Sequence, residues 1–105
     1  MAEEINLGEF ITLKGFHDED GSTMVIVRKM VGSYVKKIMD TIEDFQDITV
    51  TLKRIHGHEK DGKVVGGKTE VHIKLNAGKV YTTENTDFNL FVSLDKSFKK
   101  IIAEI

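Results

Sequence analysis

The apolar residues of this chain switch between two periods, and the order of the switches leaves few architectures open. Met24, Val27, Val31, Tyr34, Ile38 and Ile42 advance by three or four residues. That spacing lays one apolar stripe along a helix of about 20 residues. From Ile48 the period falls to two: Ile48, Val50 and Leu52 alternate with Thr49, Thr51 and Lys53, as in a strand buried on one face. Lys68 to Asn76 repeats the alternation, with Val71, Ile73 and Leu75 inward and Glu70, His72 and Lys74 outward. The helical spacing then returns in Phe88, Phe91, Leu94, Phe98, Ile101 and Ile105.

The punctuation between these runs completes the pattern. Gly8 to Phe16 is rich in β-branched and aromatic residues and reads as a first strand, followed by the polar turn His17–Gly21. Ser22 or Thr23 is expected to cap the first helix, and Asp87 the second, because a side-chain oxygen there accepts from orphan N–H groups of the first turn. Asn76-Ala77-Gly78 reads as a tight turn between the strand at 68–76 and a last strand over Lys79–Glu84. Gly32 interrupts the first helix at a cost of about 1 kcal/mol against alanine, so close packing against another element is expected there.

The expected fold is therefore α+β, a single domain over residues 1–105 in the order β-α-β-β-β-α. The crossover helix makes the first two strands parallel, and the two later connections are antiparallel hairpins. Each helix has one apolar stripe and the sheet has one apolar face. Both helices should cover the same side of a four-stranded sheet, leaving the other side polar and wet.

With 105 residues, 40% of them hydrophobic and 30% charged, the chain suits one ordinary globular core. Cysteine is absent, which removes disulfides and thiolate metal sites. Met1-Ala2-Glu3-Glu4 lacks the pattern of a secretory signal, and no apolar run approaches the roughly 18 residues of a membrane span. A soluble, cytoplasmic protein with no membrane partner is the expectation.

Catalytic motifs find little support. Gly62-Lys63-Val64-Val65-Gly66-Gly67-Lys68-Thr69 matches the phosphate-binding P-loop pattern. That loop needs a helix N-terminus after it, and Thr69 opens an alternating strand. His56, His58 and His72 invite a zinc reading, but a closed zinc site takes four ligands, commonly with thiolates, so they read as surface groups. No serine or cysteine nucleophile stands at a recognisable spacing from a histidine. No catalytic residue, cofactor, metal or small-molecule substrate is expected.

Charge points elsewhere. The net charge is −2, yet residues 1–47 carry ten acids against five bases, while residues 48–105 carry seven against ten. Asymmetry of this kind marks a basic binding face within an acidic protein. Lysines and arginines scattered over strands and helices can converge into a surface for RNA phosphates once the fold assembles, although lysine on helix flanks is equally ordinary solvated surface.

Several strings, in order, resemble the ribosome hibernation-promoting factors, also called ribosome-associated translation inhibitors, in their short form. They are Tyr34-Val35-Lys36-Lys37-Ile38, Val50-Thr51-Leu52-Lys53, Lys68-Thr69-Glu70-Val71-His72-Ile73-Lys74-Leu75 and Thr86-Asp87-Phe88, and the likeness runs over residues 5–105. The resemblance implies a fold like the double-stranded-RNA-binding domain. It implies that the protein occupies the decoding region of the small ribosomal subunit, touching its rRNA and excluding messenger and transfer RNA. The basic contact residues would be Lys36, Lys37, Lys53, Arg54, Lys74, Lys99 and Lys100. It further implies that the second, dimerising domain of the long forms is lacking. Two rivals stand beside this expectation: a protein–protein interaction module using the exposed sheet face, and a nucleotide-dependent enzyme built on Gly62–Thr69.

Overall fold

The structure, a computed structural model, describes residues 4–55, 58–60, 63–65 and 67–105, with backbone alone for 58–60 and 63–65. The elements run β1 (Glu4–Leu7), β2 (Ile11–Lys14), α1 (Gly21–Thr41), β3 (Phe45–Ile55), β4 (His58–Lys60), β5 (Lys63–Val65), β6 (Lys68–Ala77), β7 (Lys79–Asp87) and α2 (Leu90–Glu104). The class is α+β, with a mixed five-stranded sheet in the order β1-β2-β3-β6-β7. β2 and β3 are parallel across the α1 crossover, and the other pairs are antiparallel. β4 and β5 form a separate antiparallel ladder within the β3–β6 connection.

The fifth strand comes from the N-terminus. Gly8 to Phe16 is not one strand: Gly8 sits at φ +78°, a turn occupies Gly8–Phe10, and β1 folds back on β2 with Leu7 opposite Ile11. β2 stops at Gly15, where φ is +81° and a Cβ would lie 2.2 Å from the Leu52 carbonyl oxygen. Only glycine lets the chain turn this close to β3 and still bury Phe16.

Alternation places the core where the sequence expects it. Ile48, Val50 and Leu52 of β3 stand opposite Leu75, Ile73 and Val71 of β6, all buried, with Leu13 of β2 alongside. Met24, Val27, Val31, Val35 and Ile38 of α1 and Leu90, Leu94, Phe98 and Ile101 of α2 join this same cluster, so both helices cover one face of the sheet. Small side chains let α2 approach closely. Ser93 Oγ reaches the carbonyls of Thr69 (3.1 Å) and Asn85 (2.7 Å), and Ser97 Oγ donates to that of Val71 (3.2 Å).

The caps fall earlier and later than expected. Asp20, ahead of Ser22 and Thr23, caps α1, accepting from Thr23 N at 2.7 Å. That backbone hydrogen bond holds the Asp20 carboxyl below its ordinary range. Asn89 caps α2, accepting from Phe91 N and Val92 N, because β7 runs on through Asp87. Phe88 consequently precedes the helix and lies 67% exposed, not in the apolar stripe.

Gly32 also departs from expectation. It faces solvent, and an added Cβ would meet nothing within 4 Å. Close packing does not explain it, and Gly32→Ala should raise unfolding stability by about 1 kcal/mol through helix propensity. Urea denaturation checks this: an unchanged or lower midpoint would mean the glycine relieves a strain that the local geometry does not display.

Candidate nucleic-acid interface

Strand registers build the wet face of the sheet row by row. Asp47, Asn76 and Val80 form one row, and Asn6, Thr12, Thr49, Lys74 and Thr82 the next. Glu4, Lys14, Thr51, His72 and Glu84 follow, then Lys53, Glu70 and Thr86, with Ile55 and Lys68 at the end beside β4 and β5 in sequence. Lys53 and Lys74 are exposed here, but Glu4, Asp47, Glu70 and Glu84 are interleaved with the cations, and Lys14 pairs with Glu4 at 3.4 Å. This face is close to charge-balanced.

His72 is the centre of its most polar patch. Its Nε2 meets the Glu70 carboxylate and its Nδ1 lies 3.3 Å from Glu84 Oε2, beside an open depression of about 310 Å³ lined by His72, Thr82, Thr83 and Glu84. One ligand atom from each of Glu70, His72 and Glu84 fits within 4.8 Å, a donor set compatible with a divalent first-row ion. In the structure these groups satisfy one another. This grouping replaces the histidine trio as the residues that come together: His56 and the His58 side chain lie outside the described residues. The P-loop string likewise falls on strands, with Lys63–Val65 in β5 and Lys68–Thr69 opening β6, while Gly62 and Gly66 are outside the described residues.

Arg54 follows Lys53 in the strand and therefore projects to the opposite, helix-covered side. There it forms an ion pair with Glu19 and donates to Thr69 Oγ1 at 3.3 Å. The seven basic residues named from the resemblance thus divide into three groups. Lys53 and Lys74 lie on the wet face, Arg54 is engaged at the sheet's end, and Lys36, Lys37, Lys99 and Lys100 belong to the helix layer.

The helix layer carries a run of cations with few acids beside it. α1 carries Arg28, Lys29, Lys36 and Lys37 against one acid, Asp40. All four cations are exposed, and none forms an ion pair among the described residues. Lys29, Gly32, Ser33 and Lys36 fall on adjoining turns of one side of the helix. The two small residues leave a gap in which a phosphodiester can approach the backbone between the lysines. Arg28 and Lys29 were missed from sequence, although helix phase alone puts Lys29 on the side of Lys36.

α2 lies beside α1. The Tyr34 and Phe98 rings stack at 4.9 Å with planes 7° apart, and the Tyr34 hydroxyl donates to Asp95, which also holds Lys99 at 3.0 Å. Lys37 is one turn from Tyr34, so it and Lys99 flank the seam between the helices. Lys99 is the exposed member of this pair and Asp95 the half-buried one, and a single pair at the surface contributes only about 0–1 kcal/mol, so Lys99 can exchange it for a phosphate. Lys100 donates to the Glu84 carbonyl at 2.8 Å and blunts the β7 edge.

The Tyr34–Asp95 contact sets a pH dependence. Burial, then the hydrogen bond to Asp95, pushes the Tyr34 phenol up to about 12, and the Tyr34 hydroxyl, then Lys99, holds Asp95 below its ordinary value. A phenol raised in the folded state contributes stability that is complete below pH 10, its ordinary value, and is lost as pH rises towards 12. Asp95 contributes above its ordinary value and loses that contribution as pH falls below it. Tyr34→Phe should lower the thermal midpoint at neutral pH, and its gap to wild type should close above pH 10. A gap constant from pH 7 to 11.5 would contradict this assignment.

Compared with known proteins, the chain matches no family model and no curated sequence. No helix among the described residues is long and apolar enough to cross a membrane.

Proposed function

We propose that this protein is a non-catalytic RNA-binding regulator of translation that occupies the decoding region of the small ribosomal subunit, in the manner of the hibernation-promoting factors it resembles. The observation that carries the reading is the cationic face of α1, where Arg28, Lys29, Lys36 and Lys37 stand exposed without carboxylate partners among the described residues. Such charge binds phosphates by releasing condensed counterions. Lys37 and Lys99 extend the same field across the seam to α2, and Lys53 and Lys74 give further contacts on the far side.

The order of elements adds support. Leaving aside β1 and the β4–β5 ladder, the sequence β2-α1-β3-β6-β7-α2, with β2 parallel to β3 and both helices on one face, is similar to the order implied by the resemblance. The fold is proposed to be double-stranded-RNA-binding-domain-like, with β1 an addition at the edge, and the protein to act in the cytoplasm. Its mechanism is steric: the domain fills the channel that messenger and transfer RNA need, and chemistry plays no part. Purified protein should displace labelled transfer RNA from small subunits as it saturates them. If transfer RNA and the protein bind together without mutual weakening, the exclusion mechanism fails.

A further inference from the structure

The end row of the wet face differs in character from the rest. Ile55 stands opposite Lys68, and continuing the β6–β7 register one residue past Thr69 opposite Asp87 puts Phe88 on the other side of Lys68. Phe88 is 67% exposed and Ile55 43%, and Lys68 Nζ lies 5.4 Å from the centre of the Phe88 ring. The next row contributes Lys53, and Lys96 stands 3.9 Å from Asp87.

Local structure does not explain the exposed ring. A large apolar residue just before an N-cap usually packs on the fourth helical residue. Here that residue is Ser93, which is buried and turned to the Thr69 and Asn85 carbonyls. Among the described residues, the ring's one marked partner is the Lys68 ammonium over one of its faces, which leaves the other face to solvent. A protein partner would need a continuous apolar area of several hundred Å², whereas this row offers one ring and one isoleucine among lysines. A flat aromatic ring carrying an adjoining anion fits that pattern, and this is the chemistry of a nucleotide.

We infer that Phe88 is a stacking platform for an unpaired nucleobase, with Lys68 and Lys53 placed to meet the adjoining phosphates. This rests on the RNA-binding reading above and adds a single-stranded contact to it, on the opposite side of the sheet from α1. The exposed ring contributes little to folding, so its variants should fold as wild type does.

The test is fluorescence anisotropy of the full chain with a short labelled oligouridylate and, separately, with duplex RNA. Phe88→Ala and Phe88→Leu should each weaken oligouridylate binding about tenfold, since a stacked base is worth roughly 1–3 kcal/mol. Phe88→Tyr should bind as wild type. The oligouridylate salt slope should be unchanged by these substitutions and should fall by about 0.7 for Lys68→Ala. If Phe88→Leu keeps full affinity while Phe88→Ala loses it, the contact is merely apolar and the platform is wrong. If wild type binds RNA and no Phe88 variant differs, the platform is likewise overturned while the RNA reading stands. If wild type binds neither RNA at low salt, the RNA reading itself falls and takes the platform with it.

Discussion

Replacing Arg28, Lys29, Lys36 and Lys37 together with glutamate is expected to lower affinity for small ribosomal subunits at least about a hundredfold at physiological salt. Exposure and the lack of neutralising partners are the reasons. All four side chains are solvated and free of carboxylate partners among the described residues, so their field acts outward. Removing one phosphate-neutralising cation should lower the slope of log affinity against log salt by about 0.9, so the variant should lose roughly 3–4 units of slope if each residue meets a phosphate. Glutamate and lysine have similar helix propensities, and the buried face of α1 is untouched, so the thermal midpoint should move by only a few degrees. Binding curves over a salt series read both quantities. An unchanged slope would place the RNA-binding surface elsewhere on the molecule.

The pair Lys53 and Arg54 makes a poorer probe. Arg54 is committed to Glu19 and Thr69, and Arg54→Glu would set two carboxylates together. Loss of binding in that variant would mix charge removal with a damaged junction between the α1 approach and the sheet. Lys53 alone, exposed on the wet face, separates the two effects.

The largest stability effect is expected at Phe98. Its ring is fully buried, stacks on Tyr34 and sits between the two helices and the sheet. Phe98→Ala removes the stack and leaves a cavity, at a cost of about 3–5 kcal/mol. A small domain's whole stability is about 5–15 kcal/mol. For a chain of this size the midpoint should fall by roughly 15–30 °C. Phe88→Ala, just before the same helix begins, should move it by no more than a few degrees. Circular dichroism melts of the two variants decide the point, and similar losses would mean that Phe88 is buried in solution.

Those two phenylalanines show what the sequence could and could not reveal. Both fit the helical spacing, and spacing alone assigns both to the apolar stripe. Asn89 decides between them: its side chain caps the helix, which puts Phe88 outside it and Leu90 inside. The inward sets of β3 and β6 were legible because period two admits one register per face. The same parity separates Lys53 from Arg54, and it was available without coordinates. So was the pairing of His72 with Glu84, which follows from counting outward from the turn at Gly78. β1 was hidden for a different reason. Four residues with two apolar positions give too little alternation to register, and the β-branched run after Gly8 masks the turn. Charge was the least legible property. The linear tally placed the basic excess in the second half, whereas among the described residues α1, in the first half, gathers four cations without ion-pair partners on one helix, and Arg54, Lys96 and Lys99 of the second half are paired.

The most direct test of the proposed function is co-sedimentation of the purified protein with small ribosomal subunits across a salt series. Stoichiometric binding is expected near about 50 mM monovalent salt, falling by orders of magnitude by about 200 mM. Absence of binding at the low-salt end, or binding that is flat across the series, would contradict it.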